Sequence, residues 1–515
     1  MESLFGRHGK LIRWTVGIAA GVLIGLWIAV LMLSRAPQLR TALVQALNDQ
    51  FDADVQLDSL EVRIFPRVRI HGDGLTLRLK SGHKQPFIEV RHFEVSGGLI
   101  NMLRRPRRFS LVELEGLRIT IPPTEAGDPA AKGQGSDPAG PVLIEHITSR
   151  DAQLIIVPRN PDKESKVWSI HNLELDSAGF NRTMPFTATL TNPIPKGEIA
   201  TKGTFGPWAK GDPGSTPLAG HYTFDHADLS TINGIGGILN STGDFSGMLA
   251  RIDVHGKTST PDFTLDVGDT PVPLETTFYA VVDGTNGNTY LKQIDAKLRH
   301  TPIEASGEVA TNPHVKGRTI HIEATIQDGR IEDALQLAVH GPAPIMVGKL
   351  ALQTSITIPP GLERVVQRMQ LSGRFALEDA QFTDAQVKAH LADLSHHARG
   401  LKPGEPTGPI SSNMTGRFTM RDAQIRFEPV RFSLPGADVQ LTGSYGLRSE
   451  QLDFAGTLSM DAAVSEAMGG GIKSVMLKPF DALFRKDGKG AVVPITISGP
   501  RKEPKFGLQW GKVFK

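Results

Sequence analysis

Sixteen histidines, 54 aspartates and glutamates and no cysteine are the groups from which a reactive site would have to be built. The histidines form no His-x-x-x-His or His-Glu-x-x-His pair, the spacing that turns two imidazoles toward one metal ion on a helix. His396 and His397 adjoin on an expected helix and therefore face different directions. Without cysteine there is no thiolate nucleophile, no thiolate metal site and no disulfide. Gly469-Gly-Gly-Ile-Lys473-Ser474 has the residue types of a phosphate loop, but Ile472 stands where that loop needs glycine and the first glycine is misplaced; helix flexibility accounts for the run. No Gly-x-Ser-x-Gly elbow, calcium loop or dinucleotide fingerprint occurs. The expectation is a non-enzyme, with no catalytic residue, cofactor or metal.

Two other residue patterns carry physical chemistry. The first is Arg104-Arg105-Pro106-Arg107-Arg108, the densest charge in the chain. Near a membrane each guanidinium would attract anionic lipid headgroups by about 1 kcal/mol. Beyond a Debye length of about 8 Å that attraction fades, and the run is then a solvated loop between strands. Arg104, Arg105, Arg107 and Arg108 are the candidate headgroup contacts. The second pattern is strict alternation, as in Leu75-Thr-Leu77-Arg-Leu79 and Leu117-Arg-Ile119-Thr-Ile121. Alternation over four to eight residues marks a strand with one wet and one dry face. Leu75, Leu77, Leu79, Leu117, Ile119 and Ile121 are the candidates for lining an apolar groove.

The same rhythm returns in Leu173-Glu-Leu175, Ile252-Asp-Val254, Phe263-Thr-Leu265-Asp-Val267, Ile320-His-Ile322-Glu-Ala324-Thr-Ile326, Leu452-Asp-Phe454 and Val493-Pro-Ile495-Thr-Ile497. Turn signals separate the strands at Asp73-Gly74, Asp283-Gly284 with Asn286-Gly287, and Asp328-Gly329. Helices are expected only at 37–51, 228–239, 361–369, 384–397 and 461–485. In the first, Leu39, Leu43, Leu47 and Phe51 form one apolar stripe; in the fourth, Val387, Leu391 and Leu394 share a face that would cover part of a sheet. Burying each aliphatic side chain stabilises by roughly 1.5–3 kcal/mol, so the dry faces must meet something. A closed sandwich satisfies them internally and leaves a plain scaffold; an open trough leaves a dry stripe for acyl chains. Scarcity of covering helices leans toward the trough.

Composition fits this picture. Lys plus Arg (56) nearly balances Asp plus Glu (54), and aromatic residues make up 6%, so neither charge nor stacking favours nucleic acid. Residues 14–33 contain no charge and are long enough to cross the roughly 30 Å hydrocarbon core as a helix. A cleaved signal peptide would be shorter, and Pro37 would follow the cut after Ser34-Arg35-Ala36. Arg7, Lys10 and Arg13 before the helix place the N-terminus in the cytoplasm and the body on the far side. Residues 122–141, with five prolines, four glycines and no large apolar side chain, form a connector.

This order of parts resembles the AsmA family of Gram-negative inner-membrane proteins. The membrane helix and the amphipathic helix are followed by Val55-Gln-Leu-Asp-Ser-Leu-Glu-Val-Arg-Ile-Phe-Pro66, the leucine strand at 75–79, the arginine run and Glu115-Gly116-Leu117-Arg-Ile119. Later, Leu371-Ser-Gly-Arg-Phe-Ala-Leu-Glu-Asp-Ala-Gln-Phe382, Pro435-Gly-Ala-Asp-Val-Gln-Leu-Thr-Gly-Ser-Tyr445 and Phe484-Arg-Lys-Asp-Gly with Ile495-Thr-Ile497 are similar. The resemblance covers most of the chain and least of 142–220. It implies a mainly β protein: one N-terminal transmembrane helix followed by an elongated, curled antiparallel sheet, groove-like, with a few short covering helices. The divisions it suggests are a cytoplasmic tail (1–13), the membrane helix (14–33), an N-terminal helix-plus-β segment (34–121), the linker (122–141), a central β-groove (142–360) and a C-terminal β region with helices (361–515). It further implies a place in the bacterial inner membrane with a periplasmic body, a role in outer-membrane homeostasis, phospholipid as ligand and an outer-membrane or periplasmic protein as partner. The chain is too short to reach the outer membrane unaided. The alternative is a scaffold that assists outer-membrane protein assembly without binding lipid.

Overall fold

A strand with one dry face needs other strands beside it to pair its backbone, and this chain forms little else. The computed structural model describes residues 53–63, 67–79, 86, 88–98, 101, 107–121, 142–157, 165–178, 182–207, 209, 212–268, 270–312, 315–341, 343–399, 412–461 and 491–508. The expected helices at 14–33 and 37–51, the linker at 122–141 and residues 462–485 of the last expected helix lie outside them. Among the described residues no helix is long and apolar enough to cross a membrane. The chain divides into two compact units, Met1–Pro193 with Gly197–Thr223, and Ile194–Lys196 with Phe224–Lys515.

The first unit contains β1 (Ala53–Gln56), β2 (Ser59–Arg63), β3 (Val68–Leu79), β4 (Ile88–Gly97), β5 (Arg107–Glu115), β6 (Arg118–Ile121), β7 (Val142–Ile156), β8 (Lys166–Ala178), β9 (Met184–Pro193) and β10 (Lys196–Phe205). β1 and β2 both pair with β3, which pairs with β4. β5 and β6 both pair with β4 and run parallel to β7, and β8 and β9 follow antiparallel. The sheet, expected to be antiparallel in the main, is mixed: β5 and β6 run parallel to β7. The parallel pairs lie where residues 122–141 join β6 to β7, a connection long enough for a crossover. Asp73-Gly74 is not a turn: Gly74 sits inside β3 at φ 64°, and Gly116 and Asp151 take the same left-handed backbone at φ 64° and 54°. Gly74 and Asp151 lie within their strands with the register unbroken on either side, whereas Gly116 falls between β5 and β6.

The second unit continues with β11 (Pro217–Asp228), whose first residues belong to the other unit, β12 (Ile235–Gly236), β13 (Ile238–Met248), β14 (Arg251–Leu265), β15 (Val272–Val282), β16 (Thr289–Leu298), β17 (Thr301–Asn312), β18 (Val315–Arg330), β19 (Met346–Ile358), β20 (Gln370–Phe382), β21 (Ser412–Arg421), β22 (Gln424–Leu434), β23 (Ala437–Gly446), β24 (Gln451–Met460), β25 (Ala491–Pro500) and β26 (Lys505–Leu508). From β13 onward each strand pairs antiparallel with the next. The helices are α1 (Ile331–Ala338), α2 (Val365–Arg368) and α3 (Ala385–Ala398). α3 matches the helix expected at 384–397, and α2 is a shorter form of the one at 361–369. The helix expected at 228–239 is instead a short 3-10 turn, Leu229–Thr231, followed by β12: Asp228 caps the turn, and Gly234 and Gly237 take φ 100° and 116°, which no helix tolerates. Asp328-Gly329 lies inside β18 at a register shift, and the turn of chain after it is α1.

This sheet coils. Met420 shares its ladder row with Val254, yet it packs in one buried cluster with Val267, thirteen positions along β14 and its exit, together with Val366, Ala423 and Leu447. On a flat sheet β14 and β21 would stand about 33 Å apart, with these tips at opposite ends. A right-handed twist of about 20–25° per strand turns the strand direction by about 140–175° over seven steps, which brings the two tips to the same side. α1 and α2 fill the gap: Arg364 on the approach to α2 pairs with Asp266 at 2.7 Å, Val365 N–H donates to Asn233 O at 2.9 Å, and Arg501 Nη2 donates to His340 O at 2.8 Å.

α1 is pinned by a buried carboxylate. Asp333, in its first turn, accepts from Thr301 Oγ1 at 2.9 Å and from the His300 N–H at 3.1 Å. Removing a buried acceptor strands its donors, so Asp333→Ala should cost about 2–4 kcal/mol in urea unfolding. Ser149 is the contrast. It is buried between Leu114 and Leu173, and among the described residues its hydroxyl has no partner, so Ser149→Ala should leave stability unchanged or raise it by up to about 1 kcal/mol.

Candidate functional site

The candidate site is the dry face of the strands in each unit. In the first unit the pairing builds cross-strand rows on one face. Val55, Leu77, Ile88, Ile119, Leu154 and Trp168 form one row. Val62, Ile70, Val95, Val112, Ile147, Leu175 and Phe186 form another. Between them runs Leu60, Gly72, Phe93, Leu114, Ser149, Leu173 and Ala188. The buried clusters here join neighbouring strands only, and the substantial contacts among the described strands of this unit are between hydrogen-bonded neighbours. Among the described residues no second layer faces this side.

Four of the six expected lining residues come together on it. Leu77 is 5% exposed; Leu75, Leu117 and Ile119 are half-buried, with Leu75 and Leu117 packed on the cluster of Leu57, Val90 and Phe93. Leu79 pairs with Ala53 and Ile121 with Ile156 through the backbone, and their side chains are outside the described residues. The arginine run is not brought together: Arg104 and Arg105 lie outside the described residues, Arg107 opens β5 beside Val142, and Arg108 is exposed opposite Leu143. Sequence reasoning missed β4 altogether. Ile88 and Val90 keep one parity and Phe93 and Val95 the other, with both Arg91 and His92 between Val90 and Phe93, so no unbroken alternation is visible.

The opposite face is a polar ladder. Ser59 Oγ donates to Asp73 Oδ2 at 2.5 Å, His92 Nδ1 lies 2.8 Å from Asp73 Oδ1, Arg118 pairs with Glu89 at 3.3 Å, and His146 Nδ1 lies 2.7 Å from Asp176. Exposed pairs of this kind contribute at most about 1 kcal/mol each, so they mark the wet side rather than hold the sheet. The hydrogen bonds from Ser59 and His92 hold the Asp73 carboxyl below the usual carboxylate range. Among the described residues no group of three or more histidines and carboxylates could hold a metal ion.

In the second unit the dry face is floored by aromatic rings and glycines. One row reads Phe278, Ile294, Ala305, Ala324, Thr354, Gly373, Phe418, Phe427, Gly443, Phe454, Ile497 and Phe506. Phe375, Phe427 and Phe454 form a continuous ring contact, with centroids 6.2 and 5.7 Å apart. A Cβ at Gly416 would meet the Phe375 ring at 2.9 Å, and one at Gly443 would meet Phe454 at 2.7 Å, so each ring lies over a glycine on the neighbouring strand. The helices cover the ends of this face: Leu391 of α3 packs on Phe432, Leu434 and Val439, and Ile331, Ala334 and Leu335 of α1 pack on Ile326 and Leu350. Along the middle row Phe278, Ile294, Phe418, Phe427, Phe454 and Ile497 all keep part of their surface exposed, and Phe506 at the edge is 64% exposed.

No family model matches the chain, and no curated protein or solved structure is significantly similar to it. What the arrangement can do chemically is offer long apolar tracks with polar backs. Gly416→Val should push Phe375 off its seat and cost about 1–3 kcal/mol in urea unfolding. Ser59→Ala should raise the titration of Asp73 toward that of an ordinary aspartate, read by carboxyl NMR; an unmoved titration would show that the hydroxyl is not what lowers it.

Proposed function

We propose that this is a lipid-handling protein, anchored in the bacterial inner membrane by residues 14–33, whose periplasmic body holds phospholipid acyl chains on the dry faces of its sheets. The observation that carries the reading is the single-layer face of the first unit, where rows of aliphatic side chains cross seven strands with no facing layer among the described residues. An acyl chain leaving a bilayer forfeits about 0.8 kcal/mol for every methylene that becomes wet. Only an uninterrupted dry track keeps that loss small, and in-register rows are such a track. The resemblance to the AsmA family, with its implied outer-membrane role, supports the same reading, as do the 20 uncharged residues before the body. No reaction is involved, so direction would come from a gradient or a protein partner.

A second reading is a scaffold for outer-membrane protein assembly that binds no lipid. It is favoured by the second unit, where α1, α2 and α3 cover the ends of the dry face with side chains of the chain itself.

A photo-reactive amino acid placed in the full chain at Ile119, and separately at Glu113 on the wet face, separates the two readings in cells. Lipid handling predicts phospholipid adducts from position 119 and few from 113. Protein adducts alone from both positions would favour the scaffold.

A further inference from the structure

We infer that the wet face of the second unit carries an oxyanion site, built by Arg374 and Arg417, for a ligand bearing a phosphate group. The two arginines are direct cross-strand partners on β20 and β21, and both are exposed. Like charges directly opposite one another destabilise a ladder, and neither position needs arginine for packing. Beside them Ser355 and Ser372 are direct partners on β19 and β20, so two hydroxyls and two guanidinium groups converge on one side. These four, with Gln353 and Glu323, line a shallow depression of about 320 Å³.

The surrounding charges fix what could bind. Arg374 Nε donates to Gln353 Oε1 at 2.9 Å, which orients that guanidinium along the sheet and leaves its terminal nitrogens to turn toward a ligand. Arg417 has Glu428 as its partner on the other strand, and Glu323 sits on the rim, 3.2 Å from His321. Both carboxylates repel an anion, so the site needs a ligand of high charge density with several acceptor oxygens. A phosphate group meets both demands and accepts bidentate arginine forks. Its source is either a free phosphate compound or the headgroup of a lipid, and the inference stands apart from the proposed role of the dry faces.

The test is thermal unfolding of the full chain in non-ionic detergent with sodium pyrophosphate, against sodium chloride at matched ionic strength. Pyrophosphate should raise the melting temperature of the wild type beyond the effect of chloride. Arg417→Gln should need about tenfold more pyrophosphate for half its effect, the loss of one charge-assisted bond. Arg417→Lys keeps the charge but loses the fork and should also be weakened. Dihexanoyl phosphatidic acid below its micellar concentration distinguishes the sources: a response equal to that of pyrophosphate assigns free phosphate, and a lower half-saturation assigns the headgroup. A wild type that responds no differently from the chloride control, or an Arg417→Gln variant that responds like the wild type, overturns the site. So does a response to the lipid with none to pyrophosphate.

Discussion

The constraint on which the rest depends is that these strands satisfy their backbones sideways and leave one face of side chains to be dried by something else. Hydrogen bonding to neighbours pairs the strands in the plane of the sheet, but it does nothing for Leu75, Ile119 or Leu175 standing above it. In a sandwich a second sheet supplies the missing contacts. In the first unit that second layer is absent among the described residues, and in the second unit three helices supply it only at the ends of the strands. The apolar rows are therefore both the reason the sheet forms and the surface left to be completed.

Backbone conformation and twist decide where those rows lie. Gly74, Gly116 and Asp151 each take left-handed backbone, and apolar side chains on both sides of Gly74, Ile70 and Leu75, pack on one cluster. In the second unit accumulated twist carries the exit of β14 to the tip of β21, and the cluster around Met420 and Val366 locks that coil. Two ion pairs, half-buried Asp266 with exposed Arg364 and half-buried Glu450 with Arg501, hold the joining segments there. The aromatic rings over glycines then give the middle of the face a flat floor, because a glycine leaves room for the ring of the adjacent strand.

Strand rhythm was legible in the sequence wherever the alternation is unbroken, as at Leu75 to Leu79, Ile320 to Ile326 and Leu452 to Met460, all of which are strands. It was illegible where parity changes within a strand, as between Val90 and Phe93 in β4, and misleading where turn residues lie inside a strand, as at Asp73-Gly74 and, at a register shift, Asp328-Gly329. At Gly74 the left-handed backbone that suits a hairpin glycine is used within a strand, so the residue type alone does not separate the two. α1 escaped notice because its eight residues are fewer than a periodic pattern needs to show itself. Leu77 and Ile119, each legible as apolar in an alternating run, stand in one row, but Ile88, Leu154 and Trp168, which complete that row, depend on register, and register is a long-range property.

Trp168 offers the most direct measurement of whether foreign hydrocarbon completes the dry face, since it stands in the same row as Leu77 and Ile119. In a full chain with Trp14, Trp27, Trp208 and Trp510 replaced by phenylalanine, its fluorescence can be titrated with phospholipid brominated in the acyl chains, against the same lipid unbrominated. The account predicts strong, saturable quenching by the brominated lipid alone. Fluorescence that is indifferent to the bromines would mean that acyl chains do not reach this face, and would contradict it.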